Sequence, residues 1–292
     1  MRGTPAMSVA RHPRVYRENH YVYPVLSRRA RGISIGVNLN PDKVCNFDCI
    51  YCQVDRTTPP TVRRVDESRL KEELRSILHE AKTGVLFERP EFRALPDVVR
   101  VVRDITFAGD GEPPSYPRFK RVVEDVLTIK KAAGFADLKV ILLTNATLID
   151  RPQVKEAMRL MDREHGEFWL KLDAGTEEYY RLVDRTTIPL ARVLANILEA
   201  ARVRPVVLQS LFMRVRGEGP PPGEIDAFCD RVQHILAAGG SISLIQVYTV
   251  ARAPAEPYVS AIPDDELDGI ATRVRQRVPE VPVETFYGGT SG

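Results

Sequence analysis

Hydrophobic side chains follow two patterns along the chain, and the two patterns alternate. Six short runs are almost continuously apolar and rich in β-branched residues, which is typical of buried strands. These runs cover residues 33–39, 101–108, 138–144, 168–172, 205–212 and 241–250. Apolar residues recur with helical spacing over residues 68–82, 116–133, 151–164, 189–202, 224–238 and 264–277. The sequence therefore predicts strands that alternate with helices.

Two of the predicted helix boundaries carry their own signals. Asp150 stands before Arg151 and Pro152, which predicts a helix start capped by the Asp150 carboxylate, with proline in the first turn. Gly134 follows the helical stretch before it and predicts the end of that helix.

Apolar strands that alternate with helices indicate the α/β class, with a parallel sheet covered by helices. A closed eight-stranded barrel takes about 250 residues, whereas here six strand–helix units fill residues 33–277. We therefore expect a partial (β/α)6 TIM barrel. A doubly wound open sheet is the alternative.

Composition places the chain among ordinary globular proteins. Of its 292 residues, 43% are hydrophobic and 28% are charged, which excludes a disordered, collagen-like or disulfide-scaffold protein. The net charge of +3 is too small to indicate a protein that coats nucleic acid. No apolar run approaches the roughly 20 residues of a membrane helix, and the N-terminus lacks the apolar region of a secretory signal. We expect a soluble, cytoplasmic protein.

The N-terminal segment is unusually basic. Residues 1–31 contain seven arginines, no lysine and one acid, Glu18. An arm that lies over the barrel is one interpretation, and contact with RNA or another phosphate-bearing partner is the other. We expect this extension to precede a core barrel at residues 32–255, followed by a C-terminal helix and tail at residues 256–292.

Three of the four cysteines are clustered. Cys45, Cys49 and Cys52 form a C-x3-C-x2-C motif directly after the first predicted strand, at the end of the strand where barrel enzymes place their chemistry. Three thiolates do not complete a structural zinc site, which normally has four protein ligands. They can bind three irons of a [4Fe–4S] cluster and leave the fourth iron open for a substrate or cofactor.

A zinc site completed by Cys229 or by a histidine is the alternative to a cluster. Cys229 lies far along the chain, where the apolar residues 225, 228, 232 and 235 form a helical stripe. This pattern predicts that Cys229 is a small buried residue of a helix, outside the site.

Further motifs around the cysteines resemble the radical S-adenosylmethionine (radical SAM) superfamily. Tyr51 precedes the last cysteine, as an aromatic residue does in that family. Residues 109–113 (GDGEP) follow the second predicted strand and resemble the family's G-G-E-P segment. They depart from it at Asp110, where the family usually has a small residue, and keep Glu112 in register. Residues 143–146 (LTNA) and 170–174 (LKLDA) are similar to the T-N-G and V-K-L-D-A segments that end the next two strands.

The resemblance spans about residues 27–255 and implies the radical SAM type of partial barrel, with a [4Fe–4S] cluster and S-adenosyl-L-methionine as cofactors. It assigns the cluster to Cys45, Cys49 and Cys52. The residues that it assigns to cofactor binding are Tyr51, Gly109, Asp110, Gly111, Glu112, Asn145, Lys171 and Asp173.

Four polar residues at strand ends would face the barrel mouth: Asn145, Lys171, Asp173 and Gln209. The alternative for each is a structural one: a polar residue at the end of a strand, with no part in a site. Lys171 and Asp173 share one face of their strand and could simply pair with each other.

The resemblance also implies a reaction. An electron from the reduced cluster, whose potential can be as low as about −700 mV, would split S-adenosylmethionine into methionine and a 5′-deoxyadenosyl radical. That radical would take a hydrogen atom from a substrate in the barrel mouth. A flavodoxin or ferredoxin is the kind of electron donor that such an enzyme uses.

Within the superfamily, residues 27–36, the cysteine motif and residues 245–254 resemble the group related to wyosine-synthesis, tRNA-modifying enzymes. The archaeal members use additional cysteines before the radical motif, and this chain has none before Cys45. We therefore expect a small-molecule or nucleoside substrate. The alternatives are modification of tRNA or of a partner protein, and a non-catalytic iron–sulfur or zinc-binding module.

Overall fold

The computed structural model describes residues 16–288, so the predictions made for residues 1–15 and 289–292 lie outside the described residues. The strands are β1 (Val22–Ser27), β2 (Gly32–Val37), β3 (Val102–Phe107), β4 (Lys139–Thr144), β5 (Gly166–Lys171), β6 (Val206–Leu211), β7 (Met213–Val215), β8 (Ile242–Tyr248), β9 (Val259–Ala261) and β10 (Val283–Phe286). The helices are α1 (Glu67–Thr83), α2 (Pro90–Arg93), α3 (Phe119–Ala132), α4 (Pro152–Asp162), α5 (Glu177–Asp184), α6 (Leu190–Val203), α7 (Pro222–Ala237) and α8 (Asp264–Arg277).

Eight strands form one sheet in the order β1-β2-β3-β4-β5-β6-β8-β10, while β7 and β9 pair separately. The pairs β2–β3, β3–β4, β5–β6, β6–β8 and β8–β10 are parallel, and β1 runs antiparallel to β2. Each strand lies beside the preceding strand of the sheet, so the order does not reverse as it does in a doubly wound sheet. Among the described residues, β1 and β10 are edge strands, and the sheet does not close.

All six apolar runs are strands, namely β2 to β6 and β8, and the six helical stretches correspond to α1, α3, α4, α6, α7 and α8. Sequence reasoning missed β1, whose Pro24 argues against a central strand but is tolerated at an edge. It also missed α5, because eight residues are too few for a clear helical period.

The two boundary signals have different outcomes. Gly134 has a φ of +81° directly after α3, so the predicted helix end is confirmed. The capping prediction for Asp150 is wrong, because Arg151 is the N-cap residue of α4. The Asp150 carboxylate instead accepts a hydrogen bond from Arg192 at 3.1 Å. The Asp150 carboxylate therefore pairs with an arginine 42 residues further along the chain and does not cap the helix that follows it.

The chain forms two compact units. Within the described residues, the first unit comprises 16–44, 60–142 and 151–167, and the second comprises 45–59, 143–150 and 168–288. The proposed boundaries at residues 31/32 and 255/256 stay predictions. Within residues 16–288, no helix combines the length and apolar character needed to cross a membrane.

In the first unit, helix α3 packs against α1 and α4 through a buried apolar stripe. Val122 and Val126 of α3 are fully or almost fully buried, as is Ile77 of α1. Phe107, at the end of β3, packs edge-to-face on Phe119 with ring centroids 5.5 Å apart. The helical spacing of these residues is what places them on one face of each helix.

In the second unit, α7 packs against α6 and α8. Phe212 follows β6 and meets Phe228 of α7 edge-to-face, with ring centroids 5.7 Å apart. The predicted stripe of α7 (Ile225, Phe228, Val232 and Ile235) is buried, and Cys229 is buried beside it, which confirms the prediction for that cysteine.

A single carboxylate ties the start of β1 to helix α1. Glu73 of α1 is buried and accepts hydrogen bonds from the backbone amides of His20, Tyr21 and Val22 at 2.9 to 3.0 Å. Arg69, one turn earlier, donates to the same carboxylate at 3.0 Å. These bonds satisfy the amides that lead into an edge strand, where no further strand can pair with them.

Glu73→Ala should therefore lower the free energy of unfolding by about 3 kcal/mol, because several buried donors lose their acceptor together. Urea denaturation followed by circular dichroism measures the change. Glu72→Ala, at an exposed position of the same helix, is the matched control and should change stability by less than about 0.5 kcal/mol. Equal effects of the two substitutions would contradict this role for Glu73.

Candidate functional site

The cysteine motif is held in place by hydrogen bonds to the end of helix α5. The amide of Asp48 donates to the carbonyl oxygen of Asp184 at 3.3 Å, and the amide of Ile50 donates to that of Val183 at 2.9 Å. Carbonyl groups at a helix C-terminus have no partner inside the helix, so they are available to bind another segment. The helix that sequence reasoning missed therefore positions the motif.

The three thiols of the motif form no disulfide bond within residues 16–288 and are half-buried. Cys49 Sγ donates to Asp184 Oδ1 at 3.3 Å, and an Arg56 nitrogen donates to Cys52 Sγ at 3.7 Å. Burial raises the pKa of the Cys49 thiol well above its ordinary value, and the charge of Asp184 raises it further. Burial lowers the pKa of Arg56, but the sulfurs of Cys52 and Cys45 outweigh this effect and raise it. The guanidinium thus lies where it can offset the charge of thiolates.

This donor set fits an iron–sulfur cluster with three protein ligands. Thiolates are the ligands that such clusters take. All three cysteines lie on one loop, and none of them forms a disulfide bond within residues 16–288. Across residues 16–288, no three His, Cys, Asp or Glu side chains meet around a point that could hold a single metal ion. Cys229 is buried in α7, and burial raises the pKa of its thiol to about 11.

A buried polar network joins Tyr51 of the cysteine motif to the end of β5. The Tyr51 hydroxyl lies 2.6 Å from Asp173 Oδ2 and 3.0 Å from Asp184 Oδ1. Lys171 Nζ lies 3.1 Å from Asp173 and donates to the Tyr248 hydroxyl at 2.8 Å. The same ammonium lies 5.0 Å from the Tyr51 ring centroid and 5.3 Å from that of Tyr248. The pairing of Lys171 with Asp173, which the sequence offered as the alternative to a role at the barrel mouth, is therefore present, and Tyr51 joins it.

The charges in this network set its protonation. Burial lowers the pKa of Lys171, but Asp173 and Tyr248 outweigh burial and hold the pKa well above its ordinary value, so the amine is an ammonium. Burial raises the pKa of Asp184 to about 7, and the charge of Asp173 contributes to this rise. One ammonium is thus shared by two carboxyl groups, of which Asp173 is its direct partner.

Asn145 lies at the end of β4 and binds the cysteine loop through another asparagine. Its Nδ2 donates to Asn46 Oδ1 at 2.8 Å, and Asn46 Nδ2 donates to Thr147 Oγ1 at 2.7 Å. Ala146 has a φ of +62°, in the left-handed region that favours glycine. This is the position where the similar T-N-G segment has its glycine, and alanine adopts the same backbone here.

The segment at residues 109–112 belongs to the first unit, whereas the cysteines, Tyr51, Asn145, Lys171 and Asp173 belong to the second. Asp110 accepts a hydrogen bond from Asn38 Nδ2 at 2.7 Å, and its amide donates to Asn38 Oδ1 at 3.2 Å. This pairing accounts for an aspartate where the similar family segment has a small residue. Glu112 is buried, with 3% of its surface exposed.

Both glycines of this segment are required by close packing. A Cβ on Gly109 would lie 2.3 Å from Asn38 Oδ1, and one on Gly111 would lie 2.2 Å from the Val44 carbonyl oxygen. Both distances are well inside van der Waals contact, so a larger residue would displace the turn. The glycines therefore allow the turn before Glu112 to pack closely against the segment that follows β2.

Gln209 does not join the network around Lys171, although the two residues are register partners on β5 and β6. It donates instead to Gln246 Oε1 at 2.6 Å. Sequence reasoning missed Asn38, Asn46, Arg56 and Asp184. Arg56, a cation four residues after Cys52, could have been found from the sequence, whereas Asp184 could not, because only the fold brings it to the motif.

Comparison with known proteins identifies the class of enzyme that this fold and thiol loop define. Residues 39–219, more than half of the chain, match the family model described as the Radical SAM superfamily. The chain belongs to the radical SAM superfamily and is an enzyme. The predicted recognition is confirmed, and members of this family in general use S-adenosylmethionine and an iron–sulfur cluster.

The chain is also similar to a relative in sequence and to solved structures in fold. A UPF0026 protein of Helicobacter pylori is 25% identical over 233 residues, which are 79% of this chain and 68% of that protein. The crystal structure of a radical SAM methyltransferase from Sphaerobacter thermophilus has a TM-score of 0.63 at 12% identity, covering 90% of this chain and 68% of that one. The structure of TYW1 with a lysine–pyruvate adduct bound has a TM-score of 0.54 at 14% identity, covering 89% and 85%. At these identities the structural likeness shows the fold, and the predicted partial α/β barrel of the radical SAM type is confirmed.

Tyr51→Phe should lower the free energy of unfolding by about 2 kcal/mol, because two buried carboxyl groups lose the hydroxyl that they share. Thermal or urea denaturation measures the loss. Tyr180→Phe is the matched control, since the buried Tyr180 hydroxyl has no hydrogen-bond partner among residues 16–288 and its removal should leave stability unchanged or slightly raised. A larger loss in the control than in Tyr51→Phe would contradict the role of the network.

Proposed function

We propose that Cys45, Cys49 and Cys52 hold a [4Fe–4S] cluster and that the enzyme acts on a small-molecule or nucleoside substrate. When bound, the cluster supplies the electron that splits S-adenosyl-L-methionine, and the 5′-deoxyadenosyl radical so formed removes a hydrogen atom from the substrate. The observation that carries the proposal is the set of three half-buried thiols, none of them in a disulfide bond, on one loop of a radical SAM chain.

The residues around the thiols support this assignment through charge and rigidity. Arg56 lies beside Cys52 and can stabilise the anionic sulfurs that a cluster requires. The backbone bonds from the loop to Asp184 and Val183 hold the thiols without using their sulfur atoms. Clustered thiols without a disulfide bond also suit a reducing compartment, so we place the enzyme in the cytoplasm. A flavodoxin or ferredoxin would supply the electron.

For the cofactor's amino-acid part, we assign residues 109–112. The pairing of Asp110 with Asn38 fixes the turn, and Glu112 is the buried carboxylate that we assign to the cofactor's cationic amino group. Asn145 holds Asn46 beside Cys45. Its proposed part in cofactor binding therefore includes positioning of the cysteine loop.

Lys171, Asp173 and Tyr51 satisfy one another's charges and hydrogen bonds. We assign them a positioning role. Their network fixes Tyr51, which lies in the cysteine motif, and so helps to hold the loop in the orientation that cofactor binding requires. A charged group whose own partners are fixed keeps its orientation when a ligand binds beside it.

Lys171 also bears on the alternative of wyosine-type modification of tRNA. The matching TYW1 structure holds a lysine–pyruvate adduct, and forming such an adduct requires a neutral amine. Lys171 is the only lysine of the second unit. Its pKa is raised by Asp173 and Tyr248, which keeps it protonated. This counts against a wyosine-type reaction through a lysine adduct and so favours a small-molecule or nucleoside substrate over tRNA.

Cys45→Ala, Cys49→Ala and Cys52→Ala should each abolish iron binding and the formation of 5′-deoxyadenosine, because no fourth thiol is present on the loop to replace the lost ligand. The test is anaerobic reconstitution with iron and sulfide, reduction, addition of S-adenosylmethionine, and chromatography of the products. Cys229→Ala should retain both iron and product. Equal loss in Cys229→Ala would overturn the assignment of three thiolates.

Glu112→Gln should weaken S-adenosylmethionine binding by about tenfold or more, since it removes a charge-assisted hydrogen bond. Iron content should stay at the level of the unaltered protein. Equilibrium dialysis of the reconstituted protein measures affinity, and Glu88→Gln at an exposed position is the control. Unchanged affinity in Glu112→Gln would remove this segment from the site.

A further inference from the structure

Arg56 contacts the cysteine loop at two points through the two ends of its guanidinium group. Its Nη2 donates to Cys52 Sγ at 3.7 Å, and its Nη1 donates to the Phe47 carbonyl oxygen at 3.4 Å. A guanidinium group is planar, so two contacts made by its terminal nitrogens fix its plane as well as its position. The charge of Arg56 is therefore held against the loop, although the residue is exposed to solvent.

The two residues that Arg56 contacts are themselves fixed by other bonds of the second unit. The Cys52 carbonyl oxygen accepts a hydrogen bond from the Ala255 amide, in the segment after β8, at 2.7 Å. Phe47 is buried, and its ring packs edge-to-face on Tyr180 with ring centroids 5.9 Å apart. The guanidinium group thus lies on a rigid part of the loop, and its distance from the Cys52 sulfur is set by the fold.

The charge of Arg56 acts mainly on the sulfur atoms of the motif. Among residues 16–288, its largest electrostatic interactions are with the sulfurs of Cys52 and Cys45, and no carboxylate is among them. The acid next to it in the chain, Asp55, accepts hydrogen bonds from the Thr57 amide at 2.9 Å and from the Thr57 hydroxyl at 2.6 Å. That carboxylate therefore stabilises a local turn, while the neighbouring guanidinium group points to the thiols.

We propose that Arg56 is a positioning residue that raises the reduction potential of the cluster, by donating a hydrogen bond to the Cys52 sulfur and holding its charge beside it. The inference rests on the proposed function, in which Cys52 is a cluster ligand. Hydrogen bonds to the ligand sulfurs and nearby charge are among the features that set such potentials. The step concerned is the transfer of one electron from the flavodoxin or ferredoxin donor to the cluster, in which no bond forms or breaks.

The direction of the effect follows from charge. Reduction adds one negative charge to the cluster and its thiolates, so a cation beside a ligand sulfur stabilises the reduced form more than the oxidised form. A hydrogen bond to that sulfur acts in the same direction, because it strengthens as the sulfur gains electron density. Arg56 should therefore make the cluster easier for the electron donor to reduce.

The test is a redox titration of the anaerobically reconstituted full chain, followed by the electron paramagnetic resonance signal of the reduced cluster. Arg56→Gln removes the charge and should shift the reduction equilibrium about tenfold towards the oxidised form, which corresponds to a potential about 59 mV lower for one electron. Arg56→Lys keeps the charge without the planar fork, so its potential should lie between those of Arg56→Gln and the unaltered protein.

Arg181→Gln is the matched control, because it removes the same charge from an exposed arginine of the second unit. The Arg181 guanidinium group binds Glu177 at 2.9 Å within α5, so this variant should have the potential of the unaltered protein. Loss of iron to a chelator is measured in parallel, since replacing a group that contacts a ligand costs about 10–100-fold in metal affinity. Where Arg56→Gln retains no cluster, the comparison of Arg56→Lys with Arg181→Gln decides.

The outcomes separate this inference from the proposed function. A lower potential in the Arg56 variants than in Arg181→Gln supports the inference. Intact clusters with equal potentials in all the proteins would overturn it and leave the proposed function standing. Faster loss of iron with an unchanged potential would also overturn it, because Arg56 would then only support the loop. An unaltered protein that binds no cluster would overturn the proposed function and this inference together.

Discussion

Burying an ammonium group is costly unless its charge and its hydrogen-bond donors all find partners, and in this enzyme that requirement is met around Lys171. Asp173 supplies the opposite charge, Tyr248 accepts a hydrogen bond, and two aromatic rings lie close to the cation. Asp173 in turn holds Tyr51 and accepts from the Leu211 amide at 2.8 Å. The end of β5, the end of β6 and the cysteine motif are thereby joined by one set of bonds.

The cysteine loop depends on this network from one side and on helix α5 from another. Asp184 takes part in both, because its carbonyl oxygen binds the loop backbone and its carboxyl group meets Tyr51 and Cys49. A site that must present three thiols at once requires a rigid backbone. Here the rigidity comes from main-chain bonds and buried side chains, so the position of the loop does not depend on bonds to the sulfur atoms alone.

The first unit also contains a segment that is held rigid, but by different contacts. Its turn at residues 109–112 is held by close backbone approach at two glycines and by the bond between Asp110 and Asn38. Two residues beyond Asn38, Asn40 donates through its Nδ2 to Ser115 Oγ at 2.9 Å. One short segment after β2 thus binds both the proposed cofactor turn and the chain that follows this turn, through two asparagines.

The sequence alone determined the six alternating strands and helices, the thiol motif, and the family to which the chain belongs. These features are local: periodic burial marks each element, and short motifs stand at strand ends. It also led to the correct pairing of Lys171 with Asp173, since alternate residues of a strand share a face.

Only the tertiary structure decided which residues complete the site. Asp184, Asn46 and Asn38 meet the motifs through contacts across many residues of chain, and no local pattern encodes such contacts. The edge strand β1 and the short helix α5 were likewise decided by packing, because proline and shortness hide them from periodicity. At Asp150, tertiary structure overrode a local signal. The sequence predicts that its carboxylate caps a helix, but the carboxylate binds Arg192 because the fold brings this donor to it.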